Sequence, residues 1–409
     1  MSFLNKFKAM GPAILVTAAF IGPGTVTVCS LAGYQFGYAL LWALLFSILA
    51  TIVLQEMCSR LGVVTQKGLG TLIREELPSP ALRAVGIVLV SSAILIGNAA
   101  YEAGNISGAS LGISTILPVK VGSDINFWSI AIGLVAFLLL YSGKYKVIER
   151  ALIGLTILMS IVFVSTAIII QPDPGALFHG LFVPSFPAGS TMIVVGLIGT
   201  TVVPYNLFLH TSAVSERWKD HSGVREARWD TIISVSLGGL ISLAIVITSA
   251  YAGLALHGTA ISGADDLALQ LEPALGSWSK YFMALGLFAA GISSSITAPL
   301  AAAYATVGIF GKEIGTSNLL FRGIALSILI IGIVFSSLGF KPIDVIAFAQ
   351  FANGLVLPLI AIFLLWLMNS TRILGSFQNS LFQNIMGGIV ILITIILGLK
   401  SILSVLNIL

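Results

Sequence analysis

The chain has 409 residues, of which 57% are hydrophobic and only 9% are charged. A water-soluble domain carries about 25% charged residues, so lipid must be the solvent for much of this surface. A soluble enzyme, a nucleic-acid-binding module and a secreted disulfide scaffold are thereby excluded. The formal net charge of +4 then reads as membrane orientation rather than affinity for nucleic acid.

Crossing the hydrocarbon core takes about 20 apolar residues in a helix. Eleven candidate spans follow in chain order: 11–33, 38–60, 83–112, 127–142, 147–170, 189–213, 230–256, 279–304, 318–338, 343–369 and 383–405. Lys6 and Lys8 precede the first, but no cleavage site follows, so it is read as a membrane helix and not a signal peptide. Joints 171–188 and 257–278 are turn-rich. Cys29 and Cys58 lie in or beside apolar stretches without metal-ligand spacing, and read as free structural thiols.

Orientation follows from lysine and arginine. With the N-terminus in the cytoplasm, the inner set is Lys6, Lys8, Arg60, Lys67, Arg74, Arg83, Lys144, Lys146, Arg150, Arg217, Lys219, Arg225, Arg228, Lys312, Arg322 and Arg372. The outer set is Lys120, Lys280, Lys341 and Lys400. Sixteen of the twenty basic residues thus fall inside, as the positive-inside rule expects. The C-terminus is then extracytoplasmic.

Two spans carry breaks at matching places. Span 1 contains Gly22-Pro23-Gly24-Thr25, and span 6 contains Thr200-Thr201-Val202-Val203-Pro204-Tyr205-Asn206. Proline removes a backbone donor and glycine is a poor helix former. Membrane backbone unwinds only where protein buries it or a wet cavity receives it. The breaks are five spans apart, an odd number, so five-span units have opposite topology. The chain therefore reads as an all-α membrane protein, one transporter domain over 1–409. Repeat one covers about 11–170, an inverted repeat two covers about 189–369, and an added helix covers about 383–405. Its substrate site is expected between the repeats near mid-membrane.

The expected substrate-binding set is Gly22, Gly24, Thr25, Thr200, Thr201, Val203, Tyr205, Asn206 and Gln350. It has no carboxylate, imidazole or sulfur. Helix N-termini, expected near Thr25 and Tyr205, carry positive dipole ends. This combination points to a small anion or polar solute such as bicarbonate, a small carboxylate or an amino-acid-like compound. Transport would be by alternating access, coupled to H⁺ or Na⁺. The alternative is a divalent ion, Mg²⁺ or Mn²⁺, held at an atypical site through its waters.

Gln350 and Asn353 share a face of span 10. Glu102 in span 3 and His210 in span 6 are candidates for coupling or gating, against purely structural roles. Glu56 and Arg60 are spaced for an ion pair, and Ser293, Ser294, Ser295 and Thr297 offer hydroxyls for interhelical bonds or a sodium site. No phosphate-binding loop, zinc-protease motif or nucleophile–base pair is present, so no enzyme activity and no cofactor are expected. The expected partners are the solute, the coupling ion and the bilayer, without nucleic acid, for a monomer or homo-oligomer.

Across essentially its whole length the chain resembles the Nramp family of divalent-metal transporters. The likeness rests on Gly11-Pro12 through Thr25, Leu41-Trp42, Ser59-Arg60-Leu-Gly, Val203-Pro204-Tyr205-Asn206 through His210, and Ala290-Gly291 through Thr297. It implies the fold of the bacterial leucine transporter, eleven helices and alternating access. In that fold a bundle of spans 1, 2, 6 and 7 rocks against spans 3, 4, 5, 8, 9 and 10. The family's Asp-Pro-Gly-Asn motif supplies metal ligands through its Asp and Asn. Gly22 and Thr25 stand at those positions here. In the family's Met-Pro-His motif, Val203 replaces Met and Tyr205 replaces His. The family's glutamine on the tenth helix is kept as Gln350. The resemblance thus implies a preserved scaffold around an altered site, a family member adapted to a different substrate.

Overall fold

The computed structural model describes residues 22–119, 125–142, 146–255, 261–311 and 318–405. Residues 11–21, the first half of expected span 1, lie outside the described residues, as do Lys6, Lys8, Lys120, Lys144 and Lys312. Among the described residues nine helices are long and apolar enough to cross a membrane, and Phe127–Ser142 is a shorter apolar helix.

The principal helices are α1 (Pro23–Phe36), α2 (Leu41–Thr65), the short α3 (Leu69–Glu76), α4 (Pro80–Ile116), α5 (Phe127–Ser142), α6 (Lys146–Ile169) and the short α7 (Pro174–Phe182). They continue with α8 (Thr191–Thr201), α9 (Pro204–Arg217), α10 (Val224–Ala255), α11 (Ser279–Ile309), α12 (Leu319–Ser337), α13 (Pro342–Met368) and α14 (Leu381–Val405). The largest boundary correction is at α10, which starts at Val224 rather than 230. Its polar first turns, with Arg225, Glu226 and Arg228, continue the helix out of the apolar run, so hydropathy alone placed the start too late.

The helices pack in two groups. In one, α1 and α2 lie against α10, and α9 lies against α2. In the other, α4 is central and contacts α11, α12 and α13, with α5 and α6 farther out. Helices in lipid associate by close packing, which favours small residues at the contact. A Cβ added at Gly291 of α11 would stand 2.6 Å from the Ala109 backbone nitrogen of α4. The contact of α8 with α13 is as close. A Cβ at Gly354 would stand 2.5 Å from the Val195 carbonyl, and one at Gly199 would run into the Gln350 carbonyl. That approach brings the Gln350 turn of α13 against the end of α8.

One end of the assembly gathers the basic residues. Arg60 and Arg228 both bond Glu56, at 3.0 and 2.8 Å. Lys67 pairs with Glu75 at 2.7 Å and Arg372 with Glu76 at 2.6 Å. At the opposite end Trp42 donates to the Ser185 carbonyl. Lys400 lies over the Phe186 ring there, and Lys280 pairs with Asp265. Cys29 and Cys58 are buried free thiols.

Candidate functional site

The break in span 6 has a local cause. Proline forces the preceding residue out of the helical region, and Val203 is extended with ψ of 121°. Helix α8 ends at Thr201, and Val202 is non-helical with ψ of 73°. Helix α9 then starts at Pro204, where a missing N–H costs nothing. The same logic sets the start of α1, where Gly22 is extended and Pro23 opens the helix. The two half-helices therefore begin at Pro23 and Pro204, slightly before the expected Thr25 and Tyr205, because proline itself takes the first helical position.

All eleven residues expected at the site or its gate are buried. The Thr25 hydroxyl lies 2.8 Å from the Thr200 hydroxyl, so one hydrogen bond joins the first turn of α1 directly to the end of α8. A Cβ on Gly24 would occupy the space of the Gln350 side-chain amide. Pro23 abuts Gly108 of α4 in the same way. The breaks, α13 and the middle of α4 thus meet in one place.

The site's hydroxyls are largely committed to protein. Thr201 donates to the Leu197 carbonyl at 2.7 Å and accepts from Ser47 at 3.1 Å. Val203 and Tyr205 join Tyr101, Ala298 and Ala301 in an apolar cluster. The Tyr205 ring packs edge-on against Tyr101 with centroids 5.5 Å apart, and their hydroxyls are hydrogen-bonded.

The amides are different. Both side-chain polar atoms of Gln350 and both of Asn206 are buried with no hydrogen-bond partner among the described residues, and so is the Asn353 Nδ2. Leaving a buried polar group unpaired costs about 1–3 kcal/mol. Buried groups are normally paired, so a cluster of open ones marks a place for a ligand or water. These amides lie near the end of α8, whose last carbonyls lack partners within the helix, while at the start of α9 Pro204 has no N–H and the Asn206 N–H donates to the Val203 carbonyl at 3.0 Å.

His210 is one turn beyond Asn206 on α9, and residues four apart share a face. Its Nδ1 lies 2.6 Å from Gln55 Oε1 of α2, and its Nε2 is buried without a partner. Glu102 is placed elsewhere. Gly97, Gly104 and Gly108 mark the side of α4 that meets α13 and Pro23. At 100° per residue, Glu102 projects about 160° away from Gly104. It packs instead against Gly332 of α12, with Asn105 as a 3.4 Å donor. The structure therefore brings the threonines, the amides and Tyr205 together, sets His210 one turn farther along α9 against Gln55, and keeps Glu102 apart.

Gln55, Ser47 and Tyr101 were not expected at the site. Tyr101 directly precedes Glu102, but lies on the side of α4 that faces Tyr205. Gln55 directly precedes Glu56 at the point where the apolar run of α2 gives way to polar residues, and it carried no distinct sequence signal.

The start of α1 and the break between α8 and α9 meet among buried polar groups in a bundle of apolar helices, the architecture of an integral membrane transporter of the leucine-transporter type. The chain belongs to the Nramp family: the family pattern described as "Natural resistance-associated macrophage protein-like" matches residues 13–404. It is 27% identical over 399 residues to the divalent metal cation transporter MntH of Klebsiella pneumoniae (strain 342), covering 96% of this chain and 93% of that protein. Among solved structures it resembles the Eremococcus coleocola manganese transporter, with TM-score 0.74 and 23% identity over 99% of this chain and 88% of that one. It also resembles MhsT in complex with L-phenylalanine, with TM-score 0.60 and 16% identity over 95% of this chain and 98% of that one.

These relatives correct the expected substrate and partner. A small anion or polar solute is overturned, because the matched relative and the Eremococcus protein are named for metal cations. The physical error lay in weighing only the positive N-terminal ends at the breaks. A broken helix also presents carbonyls at the end of its first half, and such carbonyls hold cations in transporters with discontinuous helices.

Proposed function

We propose that the chain moves a divalent metal cation across the membrane by alternating access, and that the ion is held at the helix breaks by neutral oxygens while keeping most of its water. The observation that carries this reading is the set of buried, unpartnered amide atoms on Gln350 and Asn206. Family membership supplies the substrate class. Among the described residues no group of three or more His, Cys, Asp or Glu is placed to hold a metal. Soft or borderline ions favour sulfur and imidazole, whereas Mg²⁺ takes oxygen ligands and gives up its waters reluctantly. The donor set thus favours Mg²⁺, with Mn²⁺ as the other oxygen-compatible ion.

Gln350 Oε1, Asn206 Oδ1 and carbonyls of the unwound residues would face the ion or its waters. Thr25 and Thr200 would hold the two breaks in register, and Thr201 would anchor the end of α8 to α2. Gly22 and Gly24 would let backbone and the Gln350 side chain approach closely, while Val203 and Tyr205 would shape the apolar wall. His210 would gate the path along α9, and Glu102 would act from within the helices around α4. The basic end of the bundle would face the cytoplasm, which puts the C-terminus outside. The two repeats would span about 11–170 and 189–369.

Calorimetric titration of the purified protein with Mg²⁺ and Mn²⁺ tests this reading. Saturable binding that disappears in Gln350→Leu is expected. Absence of heat and of thermal stabilisation with Mg²⁺, Mn²⁺ and Ca²⁺ would refute it.

A further inference from the structure

A second polar concentration lies at the basic end, far along α2 from the breaks. Arg60 is only 3% exposed, although it is a guanidinium. It donates to Glu56, to Asn379 Oδ1 at 2.7 Å and to the Phe377 carbonyl at 2.9 Å. Its Nε remains buried and unpartnered. Glu56 is also bonded by Arg228 Nε, and the Arg228 side chain is 43% exposed. Two guanidiniums therefore share one carboxylate, leaving a surplus positive charge in a partly desolvated place. Such a charge favours an anion beside it.

These residues line a cavity of about 530 Å³ between α2, the start of α10 and the start of α14. A neighbouring cavity of about 520 Å³ shares Arg228 and Phe377 with it and adds Arg225 and His221. The first cavity is amphipathic. Polar Gln378, Ser380 and Gln383 lie beside the arginines, and Ile52, Phe382 and Met386 form an apolar wall. Phe382 is 70% exposed and its neighbour Leu381 78%. In a protein whose solvent at this radius is lipid, that wall continues the hydrocarbon surface. A soluble anion would use the arginines but not the wall. A lipid with an anionic headgroup uses both.

We propose that this cavity is a binding site for an acidic phospholipid, with its headgroup phosphate beside Arg228 and Arg60 and its acyl chains along Phe382, Met386 and Ile52. The site is independent of what the transporter carries. Because it touches α2, α10 and the segment leading into α14, an occupied site would tie those three elements together at the basic face.

Native mass spectrometry of the full-length protein, released from micelles holding equal amounts of phosphatidylglycerol and phosphatidylcholine, tests the proposal. A basic side chain near an anionic headgroup gains about fivefold in affinity. Phosphatidylglycerol adducts should therefore exceed phosphatidylcholine adducts about fivefold or more. The excess should fall towards parity in Arg228→Gln and persist in Arg228→Lys. Hydrogen–deuterium exchange of the wild type should show phosphatidylglycerol protecting residues 376–386, a readout that needs no variant to fold. Equal retention of the two lipids would overturn the proposal. So would a preference unchanged in Arg228→Gln, protection at another part of the chain, or displacement of the lipid by inorganic phosphate.

Discussion

The helix breaks and the Arg60 cluster are both buried and polar, yet they treat their polar atoms in opposite ways. Around Arg60 nearly every donor has found an acceptor: the acceptors come from α2 and the approach to α14, and α10 adds a second donor, Arg228, to the shared Glu56. At the breaks the hydroxyls are bonded to one another or to backbone, but the side-chain amides of Gln350 and Asn206 have no partner among the described residues. A saturated network fixes one arrangement of the chain. An unsaturated one carries a free-energy cost, which a cation or its waters would offset if the proposed site is occupied.

That contrast predicts the largest stability loss at Arg60. Arg60→Met leaves Glu56 without its buried partner and several carbonyls unpaired, which should cost about 3–5 kcal/mol. The drop is measurable as a lower melting temperature in detergent. A silent Arg60→Met would mean that the cluster is not a structural network.

At the breaks the order reverses, with function lost and stability kept. Gln350→Leu replaces an unpaired amide by an apolar group of similar size. It should leave stability unchanged or raise it by up to about 1 kcal/mol, while abolishing saturable cation uptake. A large loss of stability would show that Gln350 is bonded within the protein after all.

Gly24→Ala tests the same point through sterics, since the new methyl group must displace the Gln350 amide. Ion affinity should fall about tenfold, equivalent to about 1.4 kcal/mol, as read by calorimetry. Thr25→Val paired with Thr200→Val in a double-mutant cycle should give a coupling of about 0.5–1.5 kcal/mol. Zero coupling would mean that the bond joining the breaks contributes nothing. Glu102→Gln should have the smallest effect on ion affinity, less than about twofold, or 0.4 kcal/mol, because Glu102 faces away from the breaks.

Much of this arrangement was legible in the sequence. Pro204 announced the break between α8 and α9, and Pro23 the start of α1, because proline acts on its own backbone, independently of tertiary contacts. Gln350 and Asn353 were legible as one polar face of an apolar helix. The pairing of Glu56 with Arg60 followed from spacing, but its sharing with Arg228 did not, because α10 arrives from a distant part of the chain. For the same reason Gln55 gave no hint of meeting His210, nor Tyr101 of meeting Tyr205. The charge preference of the site was misread from sequence. Side-chain composition shows which carboxylates are missing, but it does not show which backbone carbonyls an unwound segment leaves free.

The most direct measurement is divalent-cation flux into proteoliposomes holding the wild type or Gln350→Leu at matched protein density. Saturable entry of Mg²⁺ or Mn²⁺ through the wild type, and none through Gln350→Leu above empty liposomes, is the expected result. Equal flux through both, or no cation entry through either, would contradict a cation site built on the open amides at the helix breaks.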